Sequence, residues 1–415
     1  MKNVGLFQSR TTSVFENTQT SLMFGRDPGL LALAADAGVP MPNKPTSNQP
    51  ESNGSTISFI ENKIYDFSRL NDLLSVSISL NQHANGGPMV KLLERMIAKV
   101  ANLPRHRKVI AVSSGTTALH LAALFETKEI KGRKLRWVIS SFGFFSSHIG
   151  PLANSIVIDC DLSGRFDLDR LKEVPDSEYD GVIYTNIFAQ HSNWSEVADF
   201  CESHGKRLII DNATGLLDRS VSSERARHEP LEIVSAHHTK PWGVGEGGFI
   251  ICDEANEGEV RSLTNFGCGS NDDRRVCSSN FKMSDLSAAG IIDRLEKMTA
   301  WLPLYFSQEQ RLTAILENSG LRIHKFRGQT SPVSPRSHTA FVCDHNFTTS
   351  QEDSYFTIRK YYVPLGTSNV ASHELINAKN IYDKIFSLSN APEMFKVSDD
   401  QIVQRLNDLT KNYRA

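Results

Sequence analysis

The chain has no long hydrophobic run, no excess of either charge and no cysteine pair at metal-binding spacing, and each absence removes a class of function. The longest uncharged apolar stretch covers only residues 29–35 and ends at Asp36, far short of the roughly 20 residues a membrane-spanning helix needs. No membrane partner is expected. Lys+Arg 45 against Asp+Glu 47 leaves a formal charge of −2 over 415 residues. A dedicated nucleic-acid binder usually carries a strongly basic face, so no nucleic-acid partner is expected either. A single lysine precedes Arg10, with no apolar core and small-residue cleavage site behind it; this predicts no secretory signal and a cytoplasmic protein. Six cysteines are scattered without a CxxC pair or a histidine cluster, a pattern of thiols rather than of a zinc site, and no metal is expected. Cys160, Cys201 and Cys252 sit in or beside apolar runs and suit small buried hydrophobes.

What is present is enough for a large core: 40% of the residues are hydrophobic, and the length allows roughly two to three domains. Residues 1–57 are rich in Ser, Thr, Asn and Pro; the stretch 40–54 has neither helical nor strand period, and the whole reads as a poorly ordered extension with one candidate short helix at 28–37. From residue 58 onward, β-branched or aliphatic runs at 109–113, 137–140, 156–159, 181–185, 207–211 and 248–252 read as strands buried on both faces. Amphipathic helices alternate with them: Val90, Leu93, Ile97 and Val100 share a face, as do Val197, Phe200 and Cys201 after a capping signal in Asn193-Trp-Ser-Glu. The alternation predicts an α/β domain over 58–300, with a largely parallel sheet between helical layers. A helical stretch at 284–318 should break or kink at Trp301-Leu-Pro303. Residues 301–415 read as a smaller α+β domain, with short strands at 339–343 and 359–363 and a closing helix at 398–411 carrying Ile402, Leu406 and Leu409.

Four constellations fall at strand ends or loops, where open α/β sheets place ligands. Ser113-Ser-Gly-Thr-Thr-Ala follows a strand and opens a helix. Gly115 permits close backbone approach and Thr116 offers a hydroxyl and an N–H at a positive helix end, which suits a phosphate; a plain N-cap uses the same residues. Asp211 ends a buried apolar strand, where an unpaired acid is costly. A protonated ring nitrogen would pair with it, and a plain cap on the next helix would use the same residue. Lys240 stands in Ser235-Ala-His-His-Thr-Lys-Pro-Trp-Gly-Val-Gly-Glu-Gly-Gly. A lysine so flanked loses its proton readily when desolvated, as a Schiff-base lysine must, while the glycines alone equally mark a loop. Ser279-Asn-Phe-Lys-Met-Ser-Asp-Leu-Ser-Ala-Ala leads into the long helix, with Ser284 as N-cap.

Phosphate loop, strand-end Asp and lysine in that order describe a pyridoxal phosphate enzyme. The chain resembles the sugar aminotransferases of the DegT/DnrJ/EryC1/StrS family, most clearly over residues 79–289. Asn85-Gly-Gly-Pro-Met-Val-Lys-Leu-Leu-Glu is similar to the family's opening motif, Ser113-Ser-Gly-Thr-Thr-Ala-Leu-His-Leu-Ala to its phosphate loop, the 235–248 segment to its lysine loop, and Asn280-Phe-Lys-Met-Ser-Asp-Leu-Ser-Ala-Ala to its "NxRMSDLQAA" segment. Ile358-Arg-Lys-Tyr-Tyr-Val-Pro-Leu resembles the carboxyl-terminal "YxPL" segment.

The resemblance implies fold type I, aspartate-aminotransferase-like architecture and pyridoxal 5′-phosphate as cofactor. By position, Lys240 would be the Schiff-base lysine and proton shuttle, and Asp211 would pair with the pyridine nitrogen. Gly115, Thr116 and Ser235 would bind the phosphate, Phe144 or the nearby Phe142 would stack on the ring, and Thr214 would stand beside the phenolic oxygen. Asn280 would reach the site of the other subunit of a homodimer. The reaction implied is amino transfer from an amino acid, L-glutamate, to a nucleotide-linked keto sugar. Departures from the family pattern lie at Asn186, Ala189, Thr214 and Lys282, which replace His, Gly, Gln and Arg. Two other readings remain open on sequence alone. One is a sugar dehydratase using the pyridoxamine form, in which His stands at the lysine position; the other is a non-catalytic binding or regulatory protein on the same fold.

Overall fold

Apolar strands need a layer on each face, and the computed structural model shows how this chain supplies both. It describes residues 56–127, 134–217, 229–269, 277–326, 334–347, 355–366 and 375–411; the extension and the candidate helix at 28–37 lie outside them. Among the described residues seven strands form the main sheet: β1 (Arg107–Val112), β2 (Trp137–Ser140), β3 (Ile156–Ile158), β4 (Gly181–Thr185), β5 (Arg207–Asp211), β6 (Leu231–Ser235) and β7 (Gly248–Asp253). Their spatial order is β1-β7-β6-β5-β4-β2-β3. β7 runs antiparallel to both β1 and β6, and the pairs from β6 through β5, β4 and β2 to β3 are parallel.

The helices fall where their apolar stripes require. These are α1 (Phe67–Ser79), α2 (Pro88–Val100), α3 (Gly115–Glu126), α4 (Leu168–Glu173), α5 (Ser195–Ser203), α6 (Glu254–Thr264), α7 (Asp285–Glu296), α8 (Met298–Asn318), α9 (Ile376–Lys384) and α10 (Asp399–Lys411). Strand side chains alternate between faces: Ile110, Val112, Ile233 and Ile250 pack on α3 through Ala118, Leu119 and Ala122. Val109, Ala111, Val234 and Phe249 pack instead on α2 and α7 through Leu93, Ile97, Ala288 and Ile291. Toward the other edge Val138, Val182 and Ile210 pack on α5 through Val197 and Cys201. The two-face burial expected from the runs is therefore observed, and Cys160, Cys201 and Cys252 are buried free thiols.

A second sheet has the order β10-β11-β9-β8, from β8 (Ile323–Lys325), β9 (His338–Cys343), β10 (Ile358–Arg359) and β11 (Ile385–Ser389). Leu312 and Leu316 of α8 pack against it, with Ile402, Leu406 and Leu409 of α10. Thr56–Ala415 form one compact unit.

Two expectations are corrected. The helical stretch breaks at Lys297 (φ −90°, ψ 9°), and Pro303 lies inside α8 without ending it. The strand expected at 359–363 is only Ile358–Arg359, because Tyr361 and Tyr362 line the cavity described below instead of extending the ladder. No described helix is long and apolar enough to cross a membrane.

Candidate active site

β5 sits between β4 and β6 in the parallel part of the sheet, so its carboxyl end faces the crevice beyond the strand ends. Asp211, its last residue, is 2% exposed. Oδ1 accepts the Ala213 N–H at 3.1 Å. Burial pushes the carboxyl up to about 6, against the opposing pull of that N–H and of Lys240. Lys240 lies in the loop between β6 and β7; burial lowers its pKa, partly offset by Asp211. Each group is thus the other's counter-charge in a poorly solvated space.

The loop is set by close backbone approach. A Cβ at Gly243 would stand 2.2 Å from the His237 carbonyl oxygen, and one at Gly248 would stand 2.3 Å from that of Ser114. Buried Trp242 donates its indole N–H to the Ser235 carbonyl at 2.8 Å. The glycines therefore do more than mark a turn: they bring the lysine loop against the start of α3.

Ser114 is the N-cap of α3, accepting the Thr117 N–H at 3.1 Å. The capping role and an exposed anion-binding end coexist, because Gly115 and Thr116 follow the cap and face the cavity. A Cβ at Gly115 would lie 2.7 Å from Ser235 Cβ, so only glycine lets the helix end approach β6 so closely. Ser235 Oγ accepts the His237 N–H at 3.2 Å and retains its own proton as a donor.

These elements enclose a cavity of about 520 Å³. Seven of the sequence-predicted residues line it: Gly115, Thr116, Phe144, Asp211, Thr214, Ser235 and Lys240. Asn280 does not; it is exposed, bridging Asn265 beside β1. Of the two candidate aromatics, Phe144 is 51% exposed on the cavity wall, whereas Phe142 is fully buried against Phe188 and Phe326. The Thr214 hydroxyl donates to the Asn186 carbonyl at 3.0 Å and accepts the Ala189 N–H at 3.0 Å, so its proton is already engaged.

The other departures are also accounted for locally. Asn186 donates to Asn212 Oδ1 at 3.0 Å, and Asn212 in turn donates to Glu232 at 2.8 Å, a buried polar ladder behind the cavity. Phe188 and Ala189 both have φ of +53°, a left-handed backbone that costs non-glycine residues about 1–2 kcal/mol each. Buried Arg336 holds their carbonyls at 3.1 and 3.0 Å. Lys282 donates to Asn265 Oδ1 at 2.6 Å over the Phe266 ring.

Sequence reasoning missed one wall. Phe59 and Ile60 precede α1, and His338, Arg359 and Tyr361 come from the second sheet and the segment after it. The only signal was the likeness quoted over 358–365, which covers Arg359, Tyr361 and Tyr362 without giving them a role. His338 is buried with Nε2 unpartnered among the described residues. Burial, then Lys240, Arg336 and Arg359, push its pKa down to about 3, so it is a neutral imidazole.

The residues present fit pyridoxal phosphate. A helix N-terminus with two hydroxyl donors stands at one part of the wall, a buried acid in need of a cationic partner at another, and a desolvated amine faces the same space. Among the described residues no three His, Cys, Asp or Glu side chains converge as metal ligands.

Comparison with known proteins agrees with that chemistry. A family model described as the DegT/DnrJ/EryC1/StrS aminotransferase family matches residues 69–407. The chain is 23% identical over 347 residues to dTDP-4-amino-4,6-dideoxy-D-glucose transaminase of Shigella dysenteriae, covering 79% of this chain and 92% of that one. Among solved structures it is similar to Helicobacter pylori PseC, an aminotransferase involved in pseudoaminic acid biosynthesis (TM-score 0.69, 13% identity, 86% of this chain and 100% of that one). It is also similar to DesI solved in the presence of its TDP-sugar product (TM-score 0.68, 20% identity, 86% and 93%).

Proposed function

The chain belongs to the DegT/DnrJ/EryC1/StrS aminotransferase family, and from that premise we propose that it moves an amino group from L-glutamate to the ketone of a nucleotide-linked sugar. Its cofactor is pyridoxal 5′-phosphate, which when bound supplies a carbonyl carbon to receive the amine and a pyridine ring to withdraw electrons from the reacting carbon. The observation that carries the reading is the convergence of Lys240, Asp211, Ser235 and the amino end of α3 on one cavity.

Lys240 is assigned as the amine that would hold the cofactor carbonyl and would carry the proton to and from the reacting carbon, a role its lowered pKa favours. Asp211 would accept the ring N–H and keep that proton in place. The N–H groups of Gly115 and Thr116 and the Ser235 hydroxyl would hold the phosphate, and Phe144 would offer its ring face. Thr214 contributes a hydroxyl oxygen whose own proton stays on the Asn186 carbonyl. A lysine on the cavity wall, where the dehydratase reading needs a histidine, favours transamination. Phe59, Phe188 and Tyr361 keep water from the far wall.

We assign cofactor binding to a large domain at 58–300 and most of the closing wall to a small domain at 301–415, with Phe59 and Ile60 joining it from the start of the large one. A homodimer with shared sites is supported by Asn280 lying exposed and off its own cavity, and by exposed Phe145, Ile149, Phe266 and Leu286. A cytoplasmic setting is supported by six cysteines that are all free thiols.

The test is the visible absorption spectrum of the protein with pyridoxal phosphate, before and after L-glutamate, beside Lys240→Ala. A yellow band that glutamate bleaches toward the near-ultraviolet, and that the variant lacks, is the expected outcome. A band indifferent to glutamate would sink the donor assignment, and no band at all would sink the lysine assignment.

A further inference from the structure

Lys63 is not on the cavity wall, yet it grips the loop that carries Lys240. Its Nζ donates to the carbonyl oxygens of His238 (2.5 Å), Lys240 (2.5 Å) and Gly243 (2.8 Å). An ammonium has three N–H donors and no acceptor; here all three end on one short stretch of backbone that includes the carbonyl of Lys240 itself. Arg294 of α7 takes the carbonyl between them, Pro241, through Nε at 2.8 Å. The guanidinium fork closes on Glu61, which also accepts from Tyr305 at 2.8 Å.

The segment bearing Lys63 is itself anchored. Ser389 Oγ donates to the Phe59 carbonyl at 2.6 Å, and the Asn62 N–H donates to Glu393 at 2.9 Å. Burial, then Arg294, lower the Lys63 pKa to about 7, with Glu61 pulling the other way. An ammonium held where burial works against it, bonded to carbonyls rather than spent on a carboxylate contact, orients backbone more than it supplies charge. Lys63 also lies upstream of the family match, which begins at residue 69.

We infer that Lys63 is a positioning residue: tied to three carbonyls between residues 238 and 243, its ammonium sets the direction from which Lys240 reaches into the cavity. The inference rests on the reading of Lys240 as the reacting amine. Without Lys63 the loop keeps its internal bonds, among them Lys240 N–H to His237, Gly243 N–H to Lys240, His238 N–H to Gly245 and Thr239 N–H to His237 Nδ1, with the Trp242 and Arg294 contacts, but loses all three bonds that tie it to the segment before α1. A misplacement of about 1 Å at a reacting group can cost about a hundredfold in rate.

Amide hydrogen exchange of the cofactor-free protein tests this, with wild type beside Lys63→Met and Lys63→Arg. Amides of 237–245 should exchange about tenfold faster or more in Lys63→Met. The change should be smaller in Lys63→Arg, whose planar fork cannot meet three oxygens around one atom. Amides of β5 and α3 should keep wild-type rates. With cofactor bound, kcat should fall about tenfold or more in Lys63→Met while the donor KM moves less than about twofold. Wild-type loop exchange in both Lys63 variants overturns the inference, as does acceleration spread evenly over β5 and α3. If Lys63→Met does not fold, the same loop-against-sheet comparison in Lys63→Arg decides. A loop effect in a protein whose wild type never responds to L-glutamate would overturn the proposed function and leave the grip standing.

Discussion

Asp211 is a carboxyl that the free protein would hold more cheaply in its neutral form. Its folded pKa rises from 3.8 to about 6, so between those values the native state binds more protons than the unfolded chain. Stability therefore falls as pH climbs through that window and stays lowered above it, by on the order of 3 kcal/mol at 1.36 kcal/mol per pKa unit. Asp211→Asn should accordingly stabilise the cofactor-free protein at pH 7.5, with the gain vanishing near pH 4, while abolishing the spectral response to glutamate. Denaturant melts at the two pH values check this; a destabilised variant at pH 7.5 would mean that the ionised carboxylate is already well paired without cofactor. The Phe188–Ala189 backbone is a comparable local cost, held by a buried arginine nearly 150 positions away in the chain. Ala189 was visible in the sequence as a departure from the family's glycine. Its compensation was not, because nothing local to residue 189 points to Arg336.

At the scale of elements, the opening motif at residue 85 and the segment that starts at Asn280 turn out to be one device. Asp285, the first residue of α7, is fully buried, and its carboxylate accepts from the Met89 and Val90 N–H groups at 3.2 and 3.0 Å and from Ser77 Oγ at 2.6 Å. It thus caps α2, whose own N-cap Gly87 has no side chain to do so. A Cβ at Gly87 would stand 2.4 Å from that carboxylate, which explains the glycine before the helix. Asp285→Ala should cost about 3 kcal/mol by orphaning buried donors at a helix start. Gly87→Ala should then cost less in the Asp285→Ala background than in wild type, as expected of coupled sites. A urea-denaturation double-mutant cycle reads both, and additive costs would separate the two motifs. The helix break has a related reason: Pro303 is a strong local signal, but the turn falls at Lys297, between one helix packed on the main sheet and another that runs from that core, through Trp301 and Tyr305, to the second, through Leu312 and Leu316.

For the whole molecule, the proposed homodimer would make completeness of the site depend on a second copy. If Asn280 serves the partner's cavity, a heterodimer of Lys240→Ala and Asn280→Ala chains carries one site with both residues intact, and each homodimer carries none. Tagged co-expression followed by the glutamate-dependent spectrum should recover one working site per heterodimer. Recovery no better than the Asn280→Ala homodimer would keep Asn280 out of the site.

By itself the sequence determined the layered α/β fold, since buried strands and one-sided helices have periods that local residue order records. It also singled out the residues proposed for the cofactor, because Gly115, Asp211, Ser235 and Lys240 lie at the ends of β1, β5 and β6 or in the loops that follow them. Only the tertiary structure decided that Phe144 rather than Phe142 faces the cavity, that Thr214 has already spent its proton, and that His338, Arg359 and Phe59 close the far wall. It alone decided the link from Lys63 to the lysine loop, 175 to 180 positions apart. Those facts depend on which side chains long-range packing brings into contact, and no period, cap or spacing along the chain encodes such a meeting.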